Sequence, residues 1–518
     1  MPDEESYLDV SLRKIAKGAG IGFTGTLIGM ALGYLSRMVI ARFLGASDYG
    51  LVCLGFAAMS IAATLSLVGL PSGVVRYVSF YRGVGDRARI KGTIISALKI
   101  SVLLSLISAA FVFHFAGWIS VSVFHEPRLP PVLKIFAVGV PFWVVASVLI
   151  AATVGFQDLR YRVYVNDVFQ NVFKLVAITV LILLGFGVTG AAWGWVLAIV
   201  LMPFLAFYFL ERKVFSVLSP EVRAAPMGRE LFSFSLPLIF AGIAGLIMGW
   251  TDTLMLGYFG DASDVGVYNA ALPTARLLSV FLGSFGAIFM PVASELYARG
   301  AIEDLRKVYS AVTKWVFSLV LPASLLMALF SDWVLRIMFG AEYVVGARAL
   351  SVLALGYLII CVMGPSAQVL QAYGKTRVVM GNGFFGAGAN ILLNYLLIPA
   401  YGVDGAAVAT GISLVIVNAL HLFFVYRIGR MQPFRMGYVK PLLASSAAFL
   451  IVYAMTKYVV GVSLISLVGM FFVFLTLYFL LLLLFKSFEE EDLAVMRAID
   501  QRLGTRSDWV REIIKRFL

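Results

Sequence analysis

The sequence predicts an all-α polytopic membrane protein, and three observations carry that prediction. Apolar runs of about 20 residues, enough to cross a bilayer core, recur from one end of the chain to the other. Only 13% of the residues are charged and 61% are hydrophobic, against about 25% charged in a soluble globular chain; mean hydropathy is +0.95. Lys and Arg gather in every second connection between the apolar runs. A transmembrane barrel is excluded, because its strands alternate in segments of ~10 residues.

Charge clusters and Gly/Pro punctuation delimit fourteen candidate spans: 18–43, 48–75, 92–116, 131–153, 164–185, 189–210, 231–259, 264–290, 309–330, 346–372, 377–398, 404–427, 438–458 and 462–485. The connections after the even-numbered spans hold twenty Lys and Arg, among them Arg76, Arg82, Arg160, Arg212, Arg299, Arg377 and Arg430. The odd-numbered connections hold few: Arg128, Arg336, Arg348 and Lys457, with Arg42 at a span end. Basic loops stay on the cytoplasmic side, so both termini are expected in the cytoplasm of a multi-pass plasma-membrane protein. The net charge of +13 is explained in the same way, and no nucleic-acid partner is implied. The opening "SLRKIAKG" reads as the flank of the first span, not as a removable signal.

A polar pentapeptide occurs twice. "ASDYG" (Ala46–Gly50) returns as "ASDVG" (Ala262–Gly266), 216 residues later. "GVTGAAWGW" (Gly187–Trp195) matches "GVDGAAVAT" (Gly402–Thr410) at an offset of 215, and the arginines of "GFQDLRYR" and "LQAYGKTR" (Arg162 and Arg377) pair at 215. Spans 1–6 and 7–12 therefore read as two copies of one six-helix unit. An even number of spans gives both the same orientation, so the repeat is parallel, with an axis along the membrane normal. The expected divisions are 1–215 (N-lobe), 216–430 (C-lobe), 431–486 (spans 13 and 14, outside the repeat) and 487–518 (a cytoplasmic tail). Two like-oriented bundles suggest alternating access, one lobe rocking against the other. Asp48 and Asp264 are expected as N-caps of spans 2 and 8.

Catalytic chemistry finds little support. The two cysteines, Cys53 and Cys361, lie in apolar runs of different halves, which excludes a disulfide framework. The three histidines, His114, His125 and His421, have no metal-ligand spacing. The longest internal connection, about twenty residues, has no room for a folded catalytic domain.

The stretches "NILLNYLLIPAYGVDGAAVAT" (Asn390–Thr410), "GLPSGVVRYVSFYRGVGD" (Gly69–Asp86) and "GVYNAALPTARLL…PVASELYARG" (Gly266–Gly300) resemble the polysaccharide-transporter branch of the multidrug/oligosaccharidyl-lipid/polysaccharide exporter superfamily. The resemblance covers about residues 10–485. It implies a MATE-like fold and a flippase, not an enzyme, that moves undecaprenyl- or dolichol-diphosphate-linked oligosaccharides from the inner to the outer leaflet. Such a protein serves surface polysaccharide or glycoprotein assembly, works as a monomer among membrane lipids, and needs no cofactor beyond Na+ or H+ coupling. Two alternatives from the same superfamily stay open: a cation-coupled multidrug exporter and a peptidoglycan-precursor (lipid II) flippase. The latter usually has fourteen spans.

Ionisable residues inside spans are costly and each needs a reason. Arg37 lies about six residues, roughly 9 Å of helix, from the end of span 1, and Asp252 stands at nearly the same depth in span 7. Arg276, Lys174 and Lys314 lie in spans 8, 5 and 9. Cations thus outnumber acids, which suits a diphosphate, since Arg and Lys give charge-assisted hydrogen bonds to phosphate oxygens. Cationic drugs would favour buried carboxylates instead, and the drug exporters' acid in span 1 has no equivalent here. Arg37 and Arg276 are the leading headgroup candidates, with Lys174 and Lys314 behind them. Arg76 and Tyr77 match the family's "VRY" and are expected to receive the headgroup on entry. Arg37 and Asp252 are also a candidate gate or coupling pair.

Asn390 and Asn394 share one face of span 11 by their i,i+4 spacing. Peptidoglycan-precursor flippases hold Na+ with an acid on span 7, polar residues four apart on span 11, and a carbonyl and a Thr four apart on span 12. These positions match Asp252, Asn390 and Asn394, and Ala406 and Thr410. One departure is Asn394, which stands where a carboxylate would strengthen the site. Interhelical hydrogen bonding is the alternative role for such asparagines. In the tail, Leu493, Met496, Ile499 and Leu503 fall on one helical face, and Ser507 is a cap for a short helix bearing Trp509, Ile513 and Phe517, an interfacial arrangement.

Overall fold

The computed structural model describes residues 7–434, 436–458 and 464–487. Among them every regular element is helical, as expected where lipid supplies no partners and each segment must satisfy its own backbone. The longer helices are α1 (Tyr7–Leu67), α2 (Leu70–Val84), α3 (Arg87–Trp118), α4 (Leu129–Gly155), α5 (Gln170–Leu183), α6 (Gly187–Phe209), α7 (Leu238–Phe259), α8 (Ala262–Arg276), α9 (Ser279–Ala298), α10 (Ile302–Leu329), α11 (Ala347–Met363), α12 (Thr376–Gly429), α13 (Val439–Tyr458) and α14 (Leu464–Leu484). A π-helical stretch, Val163–Phe169, leads into α5. Among the described residues ten helices are long and apolar enough to cross a membrane, and two shorter apolar ones follow at the C-terminal end. The expected tail lies, from residue 488 onward, outside the described residues.

Glycine replaces two expected connections. Span 1 and most of span 2 lie within α1, separated only by Gly45 at φ 80° and ψ 177°, and the end of span 2 continues in α2 after a break at Val68 and Gly69. Spans 11 and 12 are both within α12, broken at Gly402 with φ 54° and ψ −127°. The left-handed φ excludes most side chains, and glycine adopts it without steric cost. The basic stretch after span 2, expected as a loop, is also largely helical. There α2 continues to Val84, and Asp86 caps α3 by accepting a hydrogen bond from the Arg89 amide at 2.9 Å.

The chain forms two compact units, Met1–Ala270 and Ala271–Leu518. In the first unit the repeated pentapeptides meet. A Cβ on Gly50 would run into the Ala262 carbonyl oxygen, and one on Gly266 into the Ala46 carbonyl oxygen. Each motif is Ala-x-x-x-Gly, and this reciprocal contact is a small-xxx-small crossing in which backbone touches backbone. The Tyr49 hydroxyl closes it by donating to the Asn269 carbonyl at 3.1 Å. The expected capping differs. Asp261 caps α8, accepting from the Asp264 amide at 2.9 Å, so Asp264 sits in the first turn. Asp48 lies one turn after the Gly45 break and pairs at the surface with Arg128 at 3.1 Å. Both carboxylates still sit at a helix start, where the dipole favours negative charge.

A second glycine row shapes the same unit. Gly25, Gly29 and Gly33 on α1 face Val163, the Asp167 backbone and the Asn171 and Lys174 side chains in turn. In the second unit, α13 and α14 pack on α10. Leu326, Ala448 and Phe474 form one buried cluster there, and the Tyr478 hydroxyl donates to the Ser318 carbonyl at 2.8 Å.

Because Gly50 and Gly266 share one contact, Gly50→Ala and Gly266→Ala are each expected to destabilise by about 1–3 kcal/mol through overpacking. The double variant should cost less than the sum of the two. Thermal unfolding of the purified variants checks this, and strict additivity would show that the two glycines do not share a contact.

Candidate functional site

The first unit gathers its interior charge beside the glycine row of α1. Asp167, Asn171 and Lys174 follow at i, i+4 and i+7 spacing, one face of a helix, and all are buried at 8, 9 and 5% exposure. Gly33 leaves room for them at this level. A methyl group there would come within 3.2 Å of Asn171 Oδ1 and 3.9 Å of Lys174 Nζ. Lys174 Nζ donates to Asn171 Oδ1 at 2.8 Å and lies 4.9 Å from the Trp195 ring centroid, a cation–π contact. Among the described residues no carboxylate is within ion-pair distance of it. Asp167 Oδ1 accepts from Asn166 Nδ2 at 3.1 Å, while its buried Oδ2 has no hydrogen-bond partner among the described residues.

Arg37, half-buried on α1, is close enough to Lys174 for the two cations to interact electrostatically. Arg37 makes no hydrogen bond or ion pair among the described residues. Two cations thus converge, and among the described residues no acid is within ion-pair distance of either. An aromatic wall adjoins them: Phe56 packs on Trp195 at 4.5 Å and meets Trp143 and Trp250 edge-on at 6.1 and 5.6 Å. Trp250 Nε1 donates to Ser60 Oγ at 3.2 Å.

Asp252 is buried, and its Oδ2 accepts from the Tyr268 hydroxyl at 2.7 Å. Arg76 is exposed and lies 4.2 Å from the Phe234 ring centroid and 5.5 Å from that of Tyr77, which stacks on Tyr81. In the second unit, Arg276 Nε reaches the Tyr357 hydroxyl at 3.4 Å, and Lys314 is buried at 8% exposure. Asn390, Asn394, Ala406 and Thr410 are all buried on α12. Two amide oxygens, a carbonyl and a hydroxyl are hard donors of the kind that suit a cation such as Na+.

Sequence reading overlooked Asp167, Asn171 and the tryptophans. The signal was present in the i, i+4, i+7 spacing of Asp167, Asn171 and Lys174, legible once the three are taken as one helix face instead of singly.

A buried ammonium depends on its hydrogen bonds, so Asn171→Leu, which removes the acceptor of Lys174, is expected to destabilise by about 1–3 kcal/mol. Lys174→Met keeps the stem's volume and removes the uncompensated charge, so it should unfold no earlier than wild type. Thermal melts of both variants test the pair. Equal losses would mean that the charge is neutralised by a group other than Asn171.

The chain's resemblance to known proteins agrees with this architecture. The family model described as "Polysaccharide biosynthesis protein" matches residues 15–297, and the MatE model matches 237–396. An uncharacterized membrane protein of Methanocaldococcus jannaschii is 24% identical over 430 residues, covering 80% of this chain and 84% of its own. A probable low-salt glycan biosynthesis flippase, Agl15, of Haloferax volcanii is 25% identical over 405 residues, covering 78% and 82%. The lipid II flippase MurJ in an inward closed conformation has a similar fold, with a TM-score of 0.68 at 14% identity over 89% of this chain and 98% of its own. The chain is a multi-pass membrane protein and belongs to the polysaccharide biosynthesis protein family.

Proposed function

We propose that the protein is a flippase for lipid-diphosphate-linked oligosaccharides, moving them from the inner to the outer leaflet for surface polysaccharide or glycoprotein assembly. The observation that carries this reading is the convergence of half-buried Arg37 and buried Lys174 with no acidic partner among the described residues. Uncompensated cations inside a membrane protein are expensive, and a diphosphate supplies the missing anion. Arg37 offers a planar fork to two phosphate oxygens, while Lys174, oriented by Asn171 and Trp195, offers a point charge. A cationic drug would be repelled from the same place, which disfavours the multidrug exporter. The glycan flippase of Haloferax volcanii supports the substrate class.

The rest of the reading builds on this site. Fourteen crossings are our proposal; the glycine breaks in α1 and α12 divide two of the long helices, and α13 and α14 add a pair. The basic connections support cytoplasmic termini; in this reading the exposed Arg76 and Tyr77 receive the headgroup on entry, and the two repeats are lobes that alternate access. Arg276 and Lys314 are the second repeat's headgroup candidates. Asp252 is the coupling acid, with Tyr268 to stabilise its charged form. On α12, Asn390, Asn394, Ala406 and Thr410 supply oxygen donors for Na+, the alternative coupling ion being H+.

Reconstituted protein should flip a fluorescent undecaprenyl-diphosphate oligosaccharide in liposomes. Charge-assisted hydrogen bonds are worth about 1.5–3 kcal/mol, so Arg37→Ala and Lys174→Met are each expected to slow flipping about ten-fold or more, with Arg336→Ala unaffected. Wild-type liposomes that export cationic dyes but flip no diphosphate lipid would overturn the substrate assignment.

A further inference from the structure

The two halves of α12 turn back on each other at Gly402, and a Cβ on Gly405 would meet the Leu397 carbonyl oxygen. They form an antiparallel helical hairpin whose register is set by Gly386, against which Val417 packs. Steps of four residues stay on one helix face. One step from that contact therefore brings Asn390 opposite Ser413, and one step the other way brings Asn382 opposite His421. Polar residues thus recur along one seam: Asn382, Asn390 and Asn394 on the first half, Thr410, Ser413 and His421 on the second, all buried.

At the end of the seam toward Arg427 the polar groups are left over. Asn382 and His421 are each 6% exposed. The Asn382 amide nitrogen and both ring nitrogens of His421 have no hydrogen-bond partner of acceptable geometry among the described residues, although the ring lies beside the Val379 backbone. Neither group contributes to the headgroup site. A buried amide and a buried imidazole without partners cost several kcal/mol in an apolar medium, and such groups in a native structure mark an unplaced water or ion. The chemistry selects which. Of the two groups only the imidazole can take up a proton, and a single water held between it and the Asn382 side chain satisfies both.

We propose that Asn382 and His421 form a proton-binding site, with a bridging water, at one end of the polar seam of α12. Among the described residues no acid on the adjoining elements stands by to neutralise the imidazolium. The adjacent helix α11 carries Arg348, Tyr357 and Cys361, the short helix Ser366–Ala372 carries no titratable residue, and the nearby parts of α12 carry Arg377, Tyr426 and Arg427. Protonation therefore adds an uncompensated charge to the hairpin, which biases it toward any conformation that opens the seam to water. The use of this proton in transport rests on the flippase reading; the binding site itself does not.

The chain has three histidines, so His114→Gln and His125→Gln leave His421 as the sole imidazole. In nitrogen-15-histidine-labelled full-length protein in nanodiscs, His421 is expected to gain a proton reversibly as the pH is lowered from about 8 to 4. Asn382→Leu should shift its midpoint by about one pH unit, a readout that a purely packing role would not move. A ring that stays in one neutral tautomer throughout that range, or a midpoint indifferent to Asn382→Leu, would overturn the site. In liposomes, His421→Gln should abolish the pH dependence of flipping. An unchanged pH profile would overturn the coupling role. Wild-type protein that flips no diphosphate lipid would remove the transport reading alone, because the titration is measured without transport.

Discussion

Backbone against backbone, with no side chain between, is the contact on which the other arrangements in this protein rest. Lipid tails are as apolar as leucine, so helices in a membrane gain little from burying apolar surface on each other and associate through close packing. Gly50 and Gly266 allow it at the crossing of the two pentapeptides, and Gly29 allows it along α1, where a Cβ would meet the Asp167 backbone. Gly356 meets Gly411 in the same way in the second unit, where an added Cβ would lie 3.1 Å from the Gly411 Cα. The functional groups occupy the space these glycines leave. Asn171 and Lys174 fill the level of Gly33, and the α12 seam takes its register from Gly386.

Stability and chemistry pull against each other within this frame. Lys174 is buried with a neutral acceptor and an aromatic ring for company, and Asp167 keeps one oxygen unsatisfied. A methionine and a leucine would pack there more cheaply, since removing a buried charge altogether is often neutral or stabilising. The arrangement makes sense for a site completed by a charged substrate. Asp252, by contrast, has a tyrosine hydroxyl to satisfy it, so the structure treats its two interior acids differently.

Much of the fold was legible in the sequence because its two strongest signals, apolar run length and glycine punctuation, are local. The apolar runs appear as helices, and Gly45 and Gly402 fall at the expected reversals. Asp48 and Asp264 read as caps when the motif is taken in isolation. The helix starts are set by what precedes them, the left-handed Gly45 and the side chain of Asp261. Arg76 and Arg82 were placed in a loop because charge density suggested solvent, whereas α2 carries both on a helix held by the buried residues Val74 and Val78. The candidate site was half legible. Arg37 and Lys174 stood out as charges in apolar runs, but nothing in spacing along the chain says that α1 and α5 touch. That proximity is a property of the glycine row.

The reciprocal pentapeptide contact constrains more than packing. Each carbonyl that receives a glycine belongs to the other copy of the motif, one turn before that copy's own glycine. A residue inserted into either turn would rotate one helix by about 100° and present a side chain where bare backbone must pass. The two copies are therefore held to the same length at this point. At this turn an insertion in one copy of the motif is tolerated only if the other copy changes with it.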